Sequence, residues 1–269
     1  MPRVSVVVPV YNAHPQYLAE SVASIVCCLP ADSEILIGLD GDCSDGCMRV
    51  LEQIRSSTNT PPIRILSYKH QGLVNTLNML IDECDCEYIA RADADDICLP
   101  NRISMQISAL EANKKAQFCG TQILRCDKTL RPFKRQRKFP VGFAGQLVYS
   151  SCLNNPIAHP TLLIKRCILG ESPYQNIAGA EDWDLYIRLW QNGYQSFNLG
   201  QVGLFYRIHA RQITKKSRSL AVAKALKRQT IKAAISYDKR FAMLLPLQTI
   251  TQLLDLYKLA QNLKPWIDA

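Results

Sequence analysis

The chain has 269 residues, 48% of them apolar or aromatic and 20% charged. That is the balance of a soluble globular protein with a sizeable core, and it excludes wholesale disorder, collagen and coiled coil. The longest charge-free stretch, 139–164, holds three prolines, two glycines and the pair Asn154-Asn155, so it does not make a spanning helix. The first apolar run is β-branched and broken by Pro9 and Asn12, unlike a signal peptide. The expectation is a cytoplasmic chain without a transmembrane segment. Net charge is +9 and unevenly placed: residues 215–240 carry net +8 and residues 125–138 net +6, which leaves the remainder mildly acidic. Each basic segment is either a solvated face or a contact for an anionic surface or ligand.

In chain order, Val4–Val10 reads as a buried strand and residues 16–28 as a helix with Leu18, Val22, Ile25 and Val26 on one side. A strand at Glu34–Leu39 leads into a turn-rich stretch, where Ser44 or Asp45 is placed to cap a helix over Met48–Arg55. A strand at Ile63–Ser67, a helix at 72–83 and a strand at Glu87–Ala90 follow. This alternation predicts a parallel α/β sheet with helices on both faces. Beyond Asp96 the expected elements are a helix at 101–112, a strand at 117–125, a basic loop at 127–138, strands at Thr161–Ile164 and Val202–Ile208, and a helix at 182–192 between those strands. From 217 onward the chain reads helical, with a break at Pro246. The eleven cysteines are odd in number and lack a Cys-x-x-Cys pair, which points to reduced thiols, mostly buried, rather than disulfides or zinc.

Ligands of open parallel sheets bind beyond the carboxyl ends of the strands. The residues that fall there are Pro9-Val-Tyr11-Asn12, Asp40-Gly41 and Arg91-Ala-Asp93-Ala-Asp95-Asp96. Three carboxylates within four residues repel one another unless a cation compensates them, and hard oxygen ligands suit Mg²⁺ or Mn²⁺. The competing reading is an acidic helix N-terminus favoured by the helix dipole. No Gly-x-Gly-x-x-Gly follows the first strand and no P-loop occurs, so a nucleotide diphosphate would be held through a metal instead. A second acidic cluster, Glu181-Asp182-Trp183-Asp184, is read either as a helix cap or as a general base beside an aromatic wall. His159 reads as a hydrogen-bonded structural residue; His209, flanked by Arg207 and Arg211, is expected near phosphate.

These segments resemble the inverting family 2 glycosyltransferases with the GT-A fold, especially the bacterial members that build capsule, O-antigen and lipopolysaccharide core. The resemblance runs over residues 2–214 through VSVVVPVYN (4–12), LDG (39–41), GLVNTLN (72–78), EYIARADADDICLPNR (87–102), NPIAHPTLLIKR (155–166), AEDWDLYIRL (180–189) and YRIHARQIT (206–214). It implies a GT-A domain over 1–214, with a nucleotide-sugar half at about 1–100 and an acceptor half at about 101–214, followed by a basic, amphipathic helical extension over 215–269. It assigns nucleotide-sugar binding to Pro9, Tyr11, Asn12, Asp40, Asn75, Arg91, Asp93 and Arg207, and metal binding to Asp93, Asp95 and His209. Asp182 would be the catalytic base, with Glu181 and Trp183 beside the acceptor. The implied reaction is metal-dependent (Mn²⁺ or Mg²⁺) transfer of a single sugar from a nucleoside-diphosphate sugar, uridine being the expected base, to a glycan or polyprenyl-diphosphate-linked acceptor, forming a β-glycoside. The Gln-x-x-Arg-Trp motif of processive synthases is absent. The alternatives are a nucleotidyltransferase, which lacks its Gly/Lys-rich loop here, and a basic nucleic-acid-binding protein, poorly supplied with aromatics in 215–240. The basic stretch beside the apolar run 241–254 is expected either to lie on an anionic membrane surface at the inner face of the cytoplasmic membrane or to pack on protein.

Overall fold

The computed structural model describes residues 3–56, 61–152, 154–177, 179–210 and 220–238. The run Val4–Val10 forms strand β1 in the interior of the parallel half of an eight-stranded sheet. It is followed by α1 (Pro15–Cys28), β2 (Ser33–Asp40), α2 (Asp45–Arg55), β3 (Ile63–Tyr68), α3 (Leu73–Asp82) and β4 (Tyr88–Arg91). Then come β5 (Ile97–Cys98), α4 (Arg102–Ala112), β6 (Ala116–Cys126), α5 (Phe143–Ser151), β7 (Leu163–Lys165), α6 (Glu181–Gln191), β8 (Gln195–Arg207) and α7 (Leu220–Tyr237). The strand order is β3-β2-β1-β4-β7-β6-β8-β5. The first four strands are parallel, as expected from the alternation of strand and helix. β7 runs antiparallel to both β4 and β6, and β5 antiparallel to β8, so the full sheet is mixed.

Because strand side chains alternate, the sheet feeds two cores. Val4, Val6, Val8 and Val10 pack with Ile35, Ile37 and Leu39 beneath α1, α2 and α4. Val7 and Leu36 face the opposite way, toward Leu77, Leu80, Trp183, Tyr186 and Trp190. Each such aliphatic side chain contributes roughly 1.5–3 kcal/mol on burial. Ser44 caps α2, its Oγ accepting the Cys47 N–H at 3.3 Å, while Asp45 is the first helical residue. Seven of the eleven cysteines are buried.

Three elements differ from the sequence reading. β8 begins at Gln195 rather than Val202, because the buried face of its first half is polar: Ser196 bonds Trp190 and Gln146, and Asn198 bonds the carbonyls of Pro140 and Pro156. Helix α5 lies within the charge-free stretch, where serine and glycine hide the Phe143/Leu147 stripe. β5 is two residues long and exists through pairing with Phe205 and Leu204. In the basic C-terminal segment, α7 packs on α5 and α6 through Leu226, Ala233 and Ala234, with Thr230 bonded to Ser150 at 2.9 Å. The apolar run 241–254 and the break expected at Pro246 lie outside the described residues.

Two buried polar side chains of α4 fasten the segment that precedes β7. Arg102, fully buried, donates to the carbonyls of Pro160 (2.7 Å) and Arg91 (3.0 Å), and Gln106 donates to that of Thr161 (2.8 Å). Gly120 of β6 faces the same segment. A Cβ there would stand 2.4 Å from Asn198 Oδ1 and 2.6 Å from Ile157 Cγ2. Gly120→Ala should therefore destabilise the protein by about 1–3 kcal/mol, seen as a lower urea midpoint with an unchanged m-value.

Candidate active site

β1 extends past β4 at the carboxyl end: Val7 pairs with Arg91, whereas Pro9 and Val10 pair only with β2. The strand order reverses here, between β1 and β4, the switch point at which open α/β sheets form their ligand crevice. On the β2 side, Tyr11 is half exposed and stacks on His70, with ring centroids 4.5 Å apart and planes at 20°. Asn12 turns the chain there through a positive φ of 48°. Asp40 is buried beneath this pair. Its oxygens accept N–H bonds from Gln71 (2.7 Å) and Gly72 (3.0 Å), and His70 Nδ1 lies 3.1 Å away. Asn75, exposed on the first turn of α3, donates to the Gln71 carbonyl and closes the same loop. Pro9, Tyr11, Asn12, Asp40 and Asn75 are thus gathered at one end of the crevice. Asp40 acts there on the backbone N–H groups of Gln71 and Gly72 and on the His70 side chain.

β4 delivers the second group. Arg91 is buried and its Nη2 pairs with Asp93 Oδ1 at 2.5 Å. Its Nε and Nη1 are buried without a hydrogen-bond partner. Burial alone would lower its pKa, but the Asp93 charge overcomes this and raises it. Oxygens of Asp93, Asp95 and Asp96 lie within 4.8 Å of one another. Desolvation, then the neighbouring carboxylates, raise the pKa of Asp95 and push that of Asp96 far up. His209 Nε2 lies 2.7 Å from Asp95 Oδ2 and partly offsets the shift. Asp96, one of the three clustered carboxylates although the resemblance gives it no role, accepts the Arg207 N–H at 2.9 Å with one oxygen and keeps the other buried and unpartnered. An all-oxygen set in which one Asp96 oxygen is buried without a partner and the pKa values of Asp95 and Asp96 are raised fits a hard divalent cation.

Arg207 is a correction. The resemblance assigns it to nucleotide-sugar binding, yet it is 2% exposed. Its guanidinium donates to Glu20 (2.6 Å) and to the carbonyls of Asp95 (2.8 Å) and Lys128 (2.9 Å), and lies 4.2 Å from the Tyr17 ring. As the last residue of β8, it fastens α1, the carboxylate loop and the basic loop together.

The third group stands at the start of α6. Gly179 adopts φ 67°, and the N-cap residue is Ala180, which has no capping side chain. Asp182 Oδ1 accepts the Trp183 N–H at 2.7 Å, so part of the capping reading holds. Its Oδ2 accepts from Asn155 Nδ2 at 2.5 Å, and Asn155 Oδ1 in turn accepts the Ile157 N–H, which fixes the amide's orientation. Glu181 is half-buried beside it. Trp183 is the second correction: it is fully buried, with Nε1 bonded to Ser150 Oγ at 2.5 Å, and forms core with Ile187 and Trp190 rather than a wall for an acceptor.

A buried pair, His159 and Tyr174, feels the charges of the second and third groups. His159 Nε2 and the Tyr174 hydroxyl are 2.8 Å apart, and Tyr174 exchanges two 2.9 Å backbone bonds with the Asn78 amide. Burial raises the Tyr174 pKa; the Arg91 charge opposes the rise, while Asp182 and Glu181 add to it. The sequence reading missed Asn155, Tyr174 and His70 as parts of the site. The first lies inside a motif it had singled out; the other two carry no local signal.

The sequence profile of "Glycosyl transferase family 2" matches residues 5–168. The chain is 27% identical over 238 residues to the Escherichia coli "O-antigen biosynthesis glycosyltransferase WbnJ", covering 85% of this chain and 91% of that protein. It is 25% identical over 203 residues to the E. coli "UDP-Gal:alpha-D-GlcNAc-diphosphoundecaprenol beta-1,3-galactosyltransferase", covering 75% and 72%. Its fold is that of S. aureus TarS 1–349, solved with UDP-GlcNAc, at a TM-score of 0.65 and 13% identity over 96% of this chain and 78% of that one.

Burial, then the Arg91 charge, holds the His159 pKa well below its usual value. The unfolded imidazole takes a proton near pH 6.5 while the folded one does not, so His159 supports stability above that pH and the support is lost on acidification. In His159→Gln, stability should fall less steeply below pH 6.5 than in the parent, by up to about 1.4 kcal/mol per pH unit, measured by urea unfolding across pH.

Proposed function

The chain belongs to glycosyl transferase family 2, and from that premise we propose that it transfers a single sugar from a nucleoside-diphosphate sugar, uridine being the base, to a hydroxyl of a glycan or lipid-linked acceptor, with inversion at the anomeric carbon. The pathway proposed is assembly of a bacterial surface polysaccharide, in keeping with the O-antigen relative. The workplace proposed is the cytoplasmic face of the membrane; among the described residues no helix is long and apolar enough to cross it.

The observations that carry this reading are the buried Arg91–Asp93 pair at the end of β4 and the Asp182 carboxylate oriented by Asn155, two charged groups that both act on the Tyr174 hydroxyl. Tyr11 and His70 offer a flat aromatic surface to a base, and the buried Arg91 nitrogens without a partner suit the donor's oxygens. Asp93 and Asp95, with His209 adjoining, would hold a divalent cation, which neutralises the charge of a leaving nucleoside diphosphate.

In the reaction proposed, the acceptor hydroxyl oxygen bonds to the anomeric carbon while the bond from that carbon to the diphosphate oxygen breaks. The hydroxyl proton passes to Asp182. Its Oδ1 is occupied by the Trp183 N–H, and Asn155 holds Oδ2 in place while leaving lone pairs for the incoming proton. A base so placed contributes roughly 10²–10⁴-fold in rate. One displacement turns an α-linked donor into a β-glycoside.

Asp182→Asn keeps the shape and the helix-capping oxygen but does not take up the proton. Nucleoside diphosphate release should fall at least about 10²-fold in kcat with donor KM little changed; a lower melting temperature with undiminished turnover would mean that Asp182 only caps α6. Asn155→Ala should lower kcat about ten-fold or more and move the acid limb of its pH profile upward, because a hydrogen bond to the carboxylate favours its charged form. Addition of Mn²⁺ should raise the melting temperature of the parent protein by binding the folded state, and Asp95→Ala should abolish that rise. Equal stabilisation of both would remove Asp95 from the proposed metal site.

A further inference from the structure

The basic loop after β6 is not absorbed by the chemistry above. Asp127, its only acidic residue, is taken up by the turn: Oδ1 accepts the N–H groups of Thr129 (2.8 Å) and Arg131 (3.1 Å) and the Thr129 hydroxyl, which lowers its pKa. The loop is tied back to β6 rather than loose. Cys126 bridges Pro132, the Phe133 N–H donates to the Arg125 carbonyl, and the Gln136 side chain bonds both the N–H and the carbonyl of Arg125. Lys128, Arg131, Lys134, Arg135 and Lys138 are all exposed, and none pairs with a carboxylate among the described residues. Phe133 stands 40% exposed in their midst, and Val141, just beyond, is 52% exposed.

The loop also has a defined place relative to the site. Arg137 is its anchor: the guanidinium lies over Phe139 and Tyr149 and donates to the Asn155 carbonyl at 2.9 Å. Asn155 is the residue that holds Asp182. The cationic loop therefore borders the acceptor end of the crevice.

We infer that loop 128–138 is the face with which this protein sits on an anionic lipid leaflet. The inference deepens the proposed function by naming where a membrane-borne acceptor meets the protein, and rests on that reading only for the acceptor. Five unpaired cations spread along a loop do not converge on one phosphate, whereas a leaflet presents many charges over a wide area. Phe133 and Val141 would stay in water against a free phosphate but enter the interface of a bilayer. One exposed aromatic is too few for a base-stacking platform, which disfavours nucleic acid. Each engaged Lys or Arg strengthens attachment to an anionic leaflet by roughly five-fold, and the effect is screened by salt.

The test is flotation of the full chain with phosphatidylcholine vesicles, with and without phosphatidylglycerol. The parent protein should float only with the anionic vesicles, and less at high salt. The combined variant Lys128→Gln, Lys134→Gln, Arg135→Gln and Lys138→Gln, with the basic 215–240 segment untouched, should bind at least about 20-fold more weakly at unchanged melting temperature. Should that variant fold poorly, the single change Lys134→Glu at an exposed position serves the same comparison. In Phe133→Trp, the new indole should be quenched by brominated lipid. Undiminished vesicle binding by the loop variants, an indole untouched by the quencher, or loop-dependent binding to an oligonucleotide without vesicle binding would overturn the inference. Vesicle binding without release of nucleoside diphosphate from any sugar donor would contradict the proposed function and leave this inference standing; the opposite pair of results would do the reverse.

Discussion

Three carboxylates crowd four residues at the end of β4, and much of the surrounding structure serves to hold them there. Asp95 and Asp96 both have raised pKa values from desolvation and mutual repulsion. Such a cluster persists only where cations and rigid backbone oppose it. Arg91 pairs with Asp93 from within β4, His209 meets Asp95, and Arg207 bonds the Asp95 carbonyl while reaching Glu20 and Lys128. Arg102 steadies the same strand end from below through the Arg91 carbonyl. The fold thus crowds acidic groups whose mutual repulsion a bound cation would relieve, the arrangement that electrostatic preorganisation requires.

The segment 155–163 connects this charge to the start of α6. It turns through Asn155 and His159, is fastened by Arg102 and Gln106, and enters the sheet as β7 beside β4. Because β7 is antiparallel, the residues before it lie at the same end of the sheet as the residues after β4. That placement brings Asn155 to Asp182 and His159 to Tyr174, and both to the side where Arg91 emerges. The antiparallel insertion is thus what joins the halves of the site.

What was legible in the sequence was what depends on local pattern. The β-branched runs gave β1 and β2, the alternation with amphipathic helices gave the parallel half of the sheet, and Ser44 stood where a cap belonged. The acidic clusters were visible because like charges at short spacing are costly anywhere. What was hidden depends on partners far along the chain. β5 is a strand because β8 lies beside it, and the first half of β8 buries polar atoms that only α5, α6 and the proline carbonyls satisfy. Residue type also does not give direction. Trp183 and Arg207 looked suited to an acceptor and a phosphate, but Trp183 shares the inward stripe of Ile187 and Trp190, and Arg207 ends a strand facing α1. Asn155 was inside a recognised motif, and its role required the Asp182 distance to be seen.

The central claim, that the carboxylate cluster and Asp182 act on a single nucleotide-sugar donor, is tested most directly by a donor screen. Release of nucleoside diphosphate is measured from a panel of sugar nucleotides with Mn²⁺ and with excess chelator. The account predicts release from a uridine-diphosphate sugar that stops in chelator and returns when Mn²⁺ is restored. Equal rates with metal and with chelator, or no release from any sugar nucleotide, would contradict it.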